Sequence, residues 1–307
     1  QDIFTMIELL KSIGLKTTIS KKNNMIEIVN INKNIKTVAP YKLVKTMRAG
    51  VLVLGPLLAR YKNAKISLPG GCAIGTRPVD LHLFALKKLG AKIKIKNGYI
   101  IAEAKNGLKG SNIIFPKISV GATENAILAA FKAKGKTVLK NCAIEPEILN
   151  LISFLNNLGG DIKISGRKIV IIGCQSIKKV ITHNVIFDRI ELGTYMIAAA
   201  LIGKKIILNN VDTQIVKNDI KLLKKMGVRI ISKKFSIEIL KSKNIKKVHI
   251  ETRPYPGFAT DLQAQLMVLM TQAKGISKIK ENIFENRFMH VPELKRMGAN
   301  IKILNKT

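Results

Sequence analysis

Apolar and polar residues follow two rhythms along this chain, and the rhythm changes at regular places. One short phrase recurs five times: Leu10-Lys-Ser-Ile-Gly14, Leu86-Lys-Lys-Leu-Gly90, Leu155-Asn-Asn-Leu-Gly159, Leu223-Lys-Lys-Met-Gly227 and Leu294-Lys-Arg-Met-Gly298. Each reads as the end of an amphipathic helix with glycine at its C-terminal cap. A period-two stretch follows, as at Ala91–Ile95 and Ala299–Ile303, and predicts a half-buried strand. Further strands are expected at Lys168–Ile172 and Lys205–Leu208. Further helices are expected at Lys42–Ala49, Glu124–Ala133 and Asp261–Gln272. The marks lie 68–76 residues apart, too far for a solenoid of helix pairs. The pattern therefore describes a tandem α/β unit with room for two helices and several strands. A length of 307 residues suggests two domains.

Composition changes the picture in one respect. The hydrophobic fraction of 47% can build a large core, and with no Trp that core must be mostly aliphatic. Charge is lopsided: 53 Lys and Arg against 19 Asp and Glu, a net +34. Such an excess ordinarily points to nucleic acid or an anionic membrane. Here the lysines are dispersed among Ile and Asn. No arginine-rich run or aromatic–basic alternation offers a stacking platform. No nucleic-acid or membrane partner is expected, although a basic surface attracts phosphorylated substrates. Cys72, Cys142 and Cys174 form no CxxC, and the four histidines lie far apart, so no zinc site is expected. This cysteine usage suits a reducing, cytoplasmic compartment. No apolar run approaches the length of a membrane span, because Gly55-Pro56 breaks Val51–Ala59. No signal peptide is read at the start, which is Gln1 rather than Met.

Candidate chemistry concentrates in Ser67-Leu-Pro-Gly-Gly-Cys-Ala-Ile-Gly-Thr-Arg-Pro-Val-Asp-Leu-His82. Three glycines and two prolines exclude a regular helix or central strand, leaving a shaped loop. Cys72 and Arg77 together suit a small anion approached closely. The plainer alternative is a glycine-rich turn holding a core cysteine, with Arg77 paired to Asp80. Lys117-Ile-Ser-Val-Gly-Ala-Thr-Glu124 precedes a helix. Its amides and lysine either bind phosphate or form an ordinary Ser/Thr cap. Thr260-Asp261 also has a cap as its local reading, and Arg48 reads alone as part of a solvated basic face. Cys142 and Cys174 sit in apolar contexts and are read as core.

The whole cysteine loop closely resembles that of the UDP-N-acetylglucosamine enolpyruvyl transferase family. Lys45-Thr-Met-Arg-Ala49, Ile283-Phe-Glu-Asn-Arg-Phe-Met-His290 and the hinge-like Asp188-Arg-Ile-Glu191 with Gly193-Thr194 match as well. The resemblance implies an α/β fold of the two-domain enolpyruvyl transferase type, an inside-out α/β barrel. Six βαβαββ-like units are divided between two domains, and the active site lies in the cleft. Residues 1–186 would form the first domain, with three units of which the first is truncated. Residues 187–307 would hold two units of the second. On this reading the family's first strands precede Gln1 and its sixth unit follows Thr307, so the chain alone is expected to be barely active.

The implied reaction moves the enolpyruvyl group of phosphoenolpyruvate onto the sugar 3-hydroxyl of UDP-N-acetylglucosamine, opening peptidoglycan synthesis. It requires no cofactor or metal. By resemblance Cys72 is the proton donor and the target of fosfomycin, and Arg77 meets phosphoenolpyruvate. Arg48 contacts substrate. Pro78, Val79, Asp80 and Leu81, with Lys117, Ile118, Ser119 and Val120, line the nucleotide-sugar site, and Ile283 flanks it. Asp261 is the acceptor or base beside the attacking hydroxyl. Arg287 and Glu285 brace the cleft, and structural pairing is expected at Asp188–Glu191. Two rivals differ. A 5-enolpyruvylshikimate-3-phosphate synthase shares the fold without the cysteine loop. A basic binding protein on a decayed enzyme would not need to retain Cys72, Arg77 and Asp261.

Overall fold

The computed structural model describes residues 2–30, 35–45, 47–69, 79–174, 176–177, 180–242, 244–305 and 307, with Arg48 described by its backbone alone. These residues form two compact units, one running to His183 and the other from Asn184.

The first unit opens with α1 (Asp2–Ser12) and the hairpin β1 (Lys16–Ser20) and β2 (Met25–Val29). It continues through β3 (Val38–Ala39), α2 (Tyr41–Val44), a 3-10 segment (Arg48–Val53), α3 (Leu54–Tyr61) and β4 (Asn63–Ser67). Then follow α4 (Asp80–Lys88), β5 (Lys92–Lys96) and β6 (Tyr99–Glu103). The same order repeats as β7 (Asn112–Ile114), α5 (Val120–Ala130), β8 (Lys136–Lys140), α6 (Pro146–Asn157), β9 (Asp161–Ser165) and β10 (Lys168–Ile172). The second unit holds α7 (Arg189–Ile202), β11 (Lys205–Asn209), α8 (Lys217–Lys225), β12 (Arg229–Lys233) and β13 (Ser236–Leu240). After these come β14 (Ile245–Lys246), β15 (His249–Glu251), a 3-10 turn (Thr260–Leu262) and α9 (Gln263–Met270). The series ends with β16 (Ala273–Lys274), β17 (Lys278–Lys280) and α10 (Val291–Arg296).

The five helix-end glycines do one job. Gly14, Gly90, Gly159, Gly227 and Gly298 all have φ between 88° and 104°. In each case the glycine N–H reaches back three residues and the next N–H reaches back five, as in Gly90 to Lys87 (2.9 Å) and Ala91 to Leu86 (3.0 Å). This is the Schellman closure, and it turns the chain out of the helix toward a strand.

Sheet topology repeats with it. The orders are β3-β4-β6-β5 and β7-β8-β10-β9, each with one parallel pair followed by antiparallel pairs, and β11-β13-β12 follows the antiparallel part. In all three, the strand that comes last in sequence lies between two earlier ones. Registers align apolar rows, such as Leu139–Ile169–Ile164 and Ile206–Ile239–Ile230. Helix α5 is packed against α3 and α4. Its Ala122, Ala126, Ala129 and Ala130 are fully buried, small side chains that let neighbouring helices approach closely.

Four expectations need correction. Lys42–Ala49 is not one helix: α2 stops at Val44, and Met47 is extended (φ −135°, ψ 117°). Val44 and Met47 are both buried, at 0% and 3% exposure, so packing overrides the helical period. The helix expected from Glu124 begins at Val120, because Ser119 caps it. The helix expected from Asp261 begins as a 3-10 turn and is α-helical only from Gln263. Finally, Ala299–Ile303 forms no strand among the described residues, since it pairs with no neighbouring strand.

Candidate active site

The catalytic loop reading falls largely outside the described residues: Cys72, Arg77 and Pro78 are not among them, and neither is Thr46 of the Lys45–Ala49 match. The side chain of Arg48 is likewise undescribed; its backbone starts the 3-10 segment. The remaining candidates of the first unit lie at helix starts. Val79, 9% exposed, is the residue before α4, and Asp80 and half-buried Leu81 open that helix. Ser119 caps α5: its Oγ accepts from Ala122 N at 3.3 Å, and Thr123 Oγ1 donates to Ser119 O at 2.7 Å. Lys117 and Val120 are exposed beside this cap and Ile118 is half-buried.

One buried amide joins the segments. Asn125, fully buried in α5, accepts from Gly55 N at 2.7 Å through Oδ1. Its Nδ2 therefore faces Val51 O at 3.0 Å and His82 Nδ1 at 3.1 Å. The amide orientation is fixed by the Gly55 donor, so His82 Nδ1 acts as acceptor. Gly55 is required here, because a Cβ would sit 2.2 Å from Asn125 Oδ1. The amide thus ties the Arg48–Val53 segment, the start of α3 and the first turn of α4 to α5. Sequence reading missed Asn125: inside an apolar helix, one Asn carries no periodic signal.

The second unit brings Asp261 and Ile283 onto one framework. Asp261 caps no helix, contrary to its local reading. Its Oδ1 instead accepts from Arg287 Nη2 at 2.6 Å. The Arg287 guanidinium also lies 5.5 Å from the Phe284 ring centre, a cation–π contact. Nearby His290 is held below the usual histidine range by burial, with the Arg287 charge adding to the effect. Buried Glu281 accepts from Thr260 Oγ1 (3.0 Å) and from Ile283 N (2.8 Å). Neither Glu281 nor Gln263 was singled out from sequence. Gln263 is fully buried, and neither polar atom of its side chain has a partner among the described residues. Its only sequence signal is its place two residues after Asp261.

At the expected hinge, Asp188 pairs with backbone. It caps α7, accepting from Ile190 N (2.8 Å) and Glu191 N (3.1 Å), while Arg189 stacks over Tyr255 at 5.5 Å. Cys142 is fully buried, as a core cysteine should be, whereas Cys174 is only half-buried and donates to Ser176 O at 3.2 Å. None of the described helices is long and apolar enough to cross a membrane.

Comparison with known proteins gives the fold and the family. A protein of Pelagibacter ubique (strain HTCC1062) named UDP-N-acetylglucosamine 1-carboxyvinyltransferase is 57% identical over 303 residues, 99% of this chain and 72% of that protein. One of the same name from Rickettsia africae (strain ESF-5) is 49% identical over 304 residues, 98% of this chain and 72% of the relative. Among solved structures, the enolpyruvyl transferase NikO from Streptomyces tendae superposes with a TM-score of 0.85 at 20% identity, covering 99% of this chain and 72% of that one. An EPSP synthase from Acinetobacter baumannii gives 0.64 at 20% identity, covering 90% and 64%. The fold is therefore that of the enolpyruvyl transferases. The EPSP synthase (3-phosphoshikimate 1-carboxyvinyltransferase) family model matches residues 1–307 throughout, and the chain belongs to that family.

Proposed function

We propose that the protein transfers the enolpyruvyl group of phosphoenolpyruvate to the 3-hydroxyl of UDP-N-acetylglucosamine, releasing phosphate at the first committed step of peptidoglycan synthesis. The observation that carries this reading is the 57% identity to a relative named for that reaction, over 99% of the chain. Two features of the residues support it. The Gly70-Gly-Cys72 loop supplies a thiol that a shikimate-type enzyme lacks, and Asp261 presents a partly exposed carboxylate on a fixed arginine.

The sugar hydroxyl adds to C2 of phosphoenolpyruvate while C3 gains a proton. Phosphate then leaves C2 as a proton leaves C3, restoring the double bond. Asp261 takes the hydroxyl proton, with its carboxylate oriented by Arg287. Cys72 supplies the proton to C3, and Arg77 and Arg48 hold the anionic groups. The stretches Arg77–Leu81 and Lys117–Val120, with Ile283, receive the nucleotide sugar. Cations suit this task because each charge-assisted contact to an anion is about twice as strong as a neutral one. The substrates are small molecules, and the compartment proposed is the cytoplasm.

The test is phosphate release from phosphoenolpyruvate, measured with UDP-N-acetylglucosamine and, separately, with shikimate 3-phosphate. Release only with the nucleotide sugar is expected. Release with shikimate 3-phosphate alone would overturn the assignment.

A further inference from the structure

Glu281 follows β17 and is 1% exposed. A carboxylate taken out of water is costly unless its oxygens are satisfied. Here four neutral groups satisfy them. Oε1 accepts from Thr252 Oγ1 (2.9 Å), Ile283 N (2.8 Å) and Phe284 N (3.1 Å), and Oε2 accepts from Thr260 Oγ1 (3.0 Å). Thr252 is itself fully buried and takes Asn282 N at 2.9 Å, which leaves its own proton for Glu281.

These partners are not scattered. Thr260 immediately precedes Asp261. Ile283 is the residue assigned to flank the nucleotide. Phe284 carries the ring beneath Arg287, the guanidinium that holds Asp261. One buried carboxylate therefore grips both sides of the Asp261–Arg287 pair, along with the Ile283 backbone.

We infer that Glu281 is the positioning residue for Asp261 and Ile283, setting the base and the nucleotide-flanking residue in one geometry; this rests on the transferase reading above. Glu281 touches neither substrate. It acts through Thr260 on the base and through two backbone amides on the Ile283 turn. A wholly neutral donor set suits the role, because a cation at Glu281 would compete with Arg287 for Asp261.

Glu281→Gln and Thr260→Val separate this role from simple packing. Two backbone amides at Oε1 demand an oxygen there, so in Glu281→Gln the new amide nitrogen must face Thr260. Thr260→Val keeps the side-chain shape and removes the hydroxyl, and Thr260→Ser keeps the hydroxyl. Displacing a reacting group by about an ångström costs on the order of a hundredfold in rate. We expect Glu281→Gln and Thr260→Val to lower kcat about tenfold or more, with KM for phosphoenolpyruvate unchanged. Melting temperatures should stay within a few degrees of the parent, and Thr260→Ser should restore kcat. Asp261→Asn is measured alongside. If it is inactive while Glu281→Gln and Thr260→Val keep the parental kcat, the positioning role is wrong and the transferase reading stands. If Asp261→Asn keeps full turnover, the assigned base is wrong. A kcat loss that Thr260→Ser does not rescue, or that follows the melting temperature, also overturns the inference.

Discussion

Arg287 Nη2 donates to Asp261 Oδ1 at 2.6 Å, and the two side chains differ in exposure, 16% for the arginine against 58% for the aspartate. The cation is anchored and the carboxylate is presented. An ion pair with one exposed partner contributes roughly 0–1 kcal/mol to stability, so the arrangement serves orientation more than folding. Asp261→Asn should leave the melting temperature nearly unchanged and lower kcat by about 10²–10⁴, the usual worth of a general base. Arg287→Lys should fall between parent and Asp261→Asn, because an ammonium cannot reproduce the planar contact with Phe284. Calorimetric melting and steady-state phosphate release check both, and a fully active Asp261→Asn would contradict the assignment.

The cysteines should separate in an alkylation time course. Burial pushes the Cys142 thiol up to about 12, against a smaller opposing pull from Arg167. At pH 8 about one molecule in ten thousand then carries the reactive thiolate. Iodoacetamide and fosfomycin should mark Cys72 first, half-buried Cys174 more slowly and Cys142 only on unfolding. Peptide mapping by mass spectrometry reads the order, and early label on Cys142 or Cys174 would count against Cys72 as the reactive thiol.

Asp219 gives stability a pH dependence. Burial raises its carboxyl to about 6, and the Arg189 charge only partly offsets this. A carboxyl that is harder to ionise folded than unfolded stabilises the fold fully below about pH 4, the unfolded value. That contribution is lost as pH rises through about 6. The difference is about 2–3 kcal/mol at 1.36 kcal/mol per tenfold. Asp219→Asn should therefore raise the melting temperature at pH 8 and leave it almost unchanged at pH 4. Equal effects at the two pH values would show that Asp219 is not the titrating group.

The capping glycines should not be equally sensitive. A Cβ at Gly159 would meet nothing within 4 Å, whereas at Gly227 it would lie 2.8 Å from Asn244 O. Gly159→Ala should cost about 1–2 kcal/mol, the left-handed penalty alone. Gly227→Ala should cost clearly more. Urea unfolding of the two variants makes the comparison, and equal costs would mean that the Asn244 backbone yields freely.

What was legible in the sequence was local. The phrase ending at Gly14, Gly90, Gly159, Gly227 and Gly298 records a helix stop that depends on a few neighbouring residues, so it could be read without knowing the rest of the fold. The extent of a helix depends on distant packing, and there reading failed: Met47 leaves the helical path because the core takes its side chain. The Ser119 cap was foreseen as an alternative, yet the helix start was placed too late because the apolar period becomes clear only inside α5. Asp261 and Ile283 were recognised as motif residues. Glu281 and Asn125 were not, because each is defined by partners far along the chain: Asn125 meets Gly55 across 70 residues and Glu281 meets Thr252 across 29.

The central place of β6, β10 and β13 has a consequence for how the chain emerges during synthesis. Strand β4 is complete at Ser67, but its antiparallel neighbour ends only at Glu103. At about 5–20 residues per second, that edge stays unpaired for roughly 2–7 s. An open edge is a template for the wrong partner. Three times along the chain, then, a nascent sheet waits for its own closing strand, and each sheet is safe only once that strand has left the ribosome.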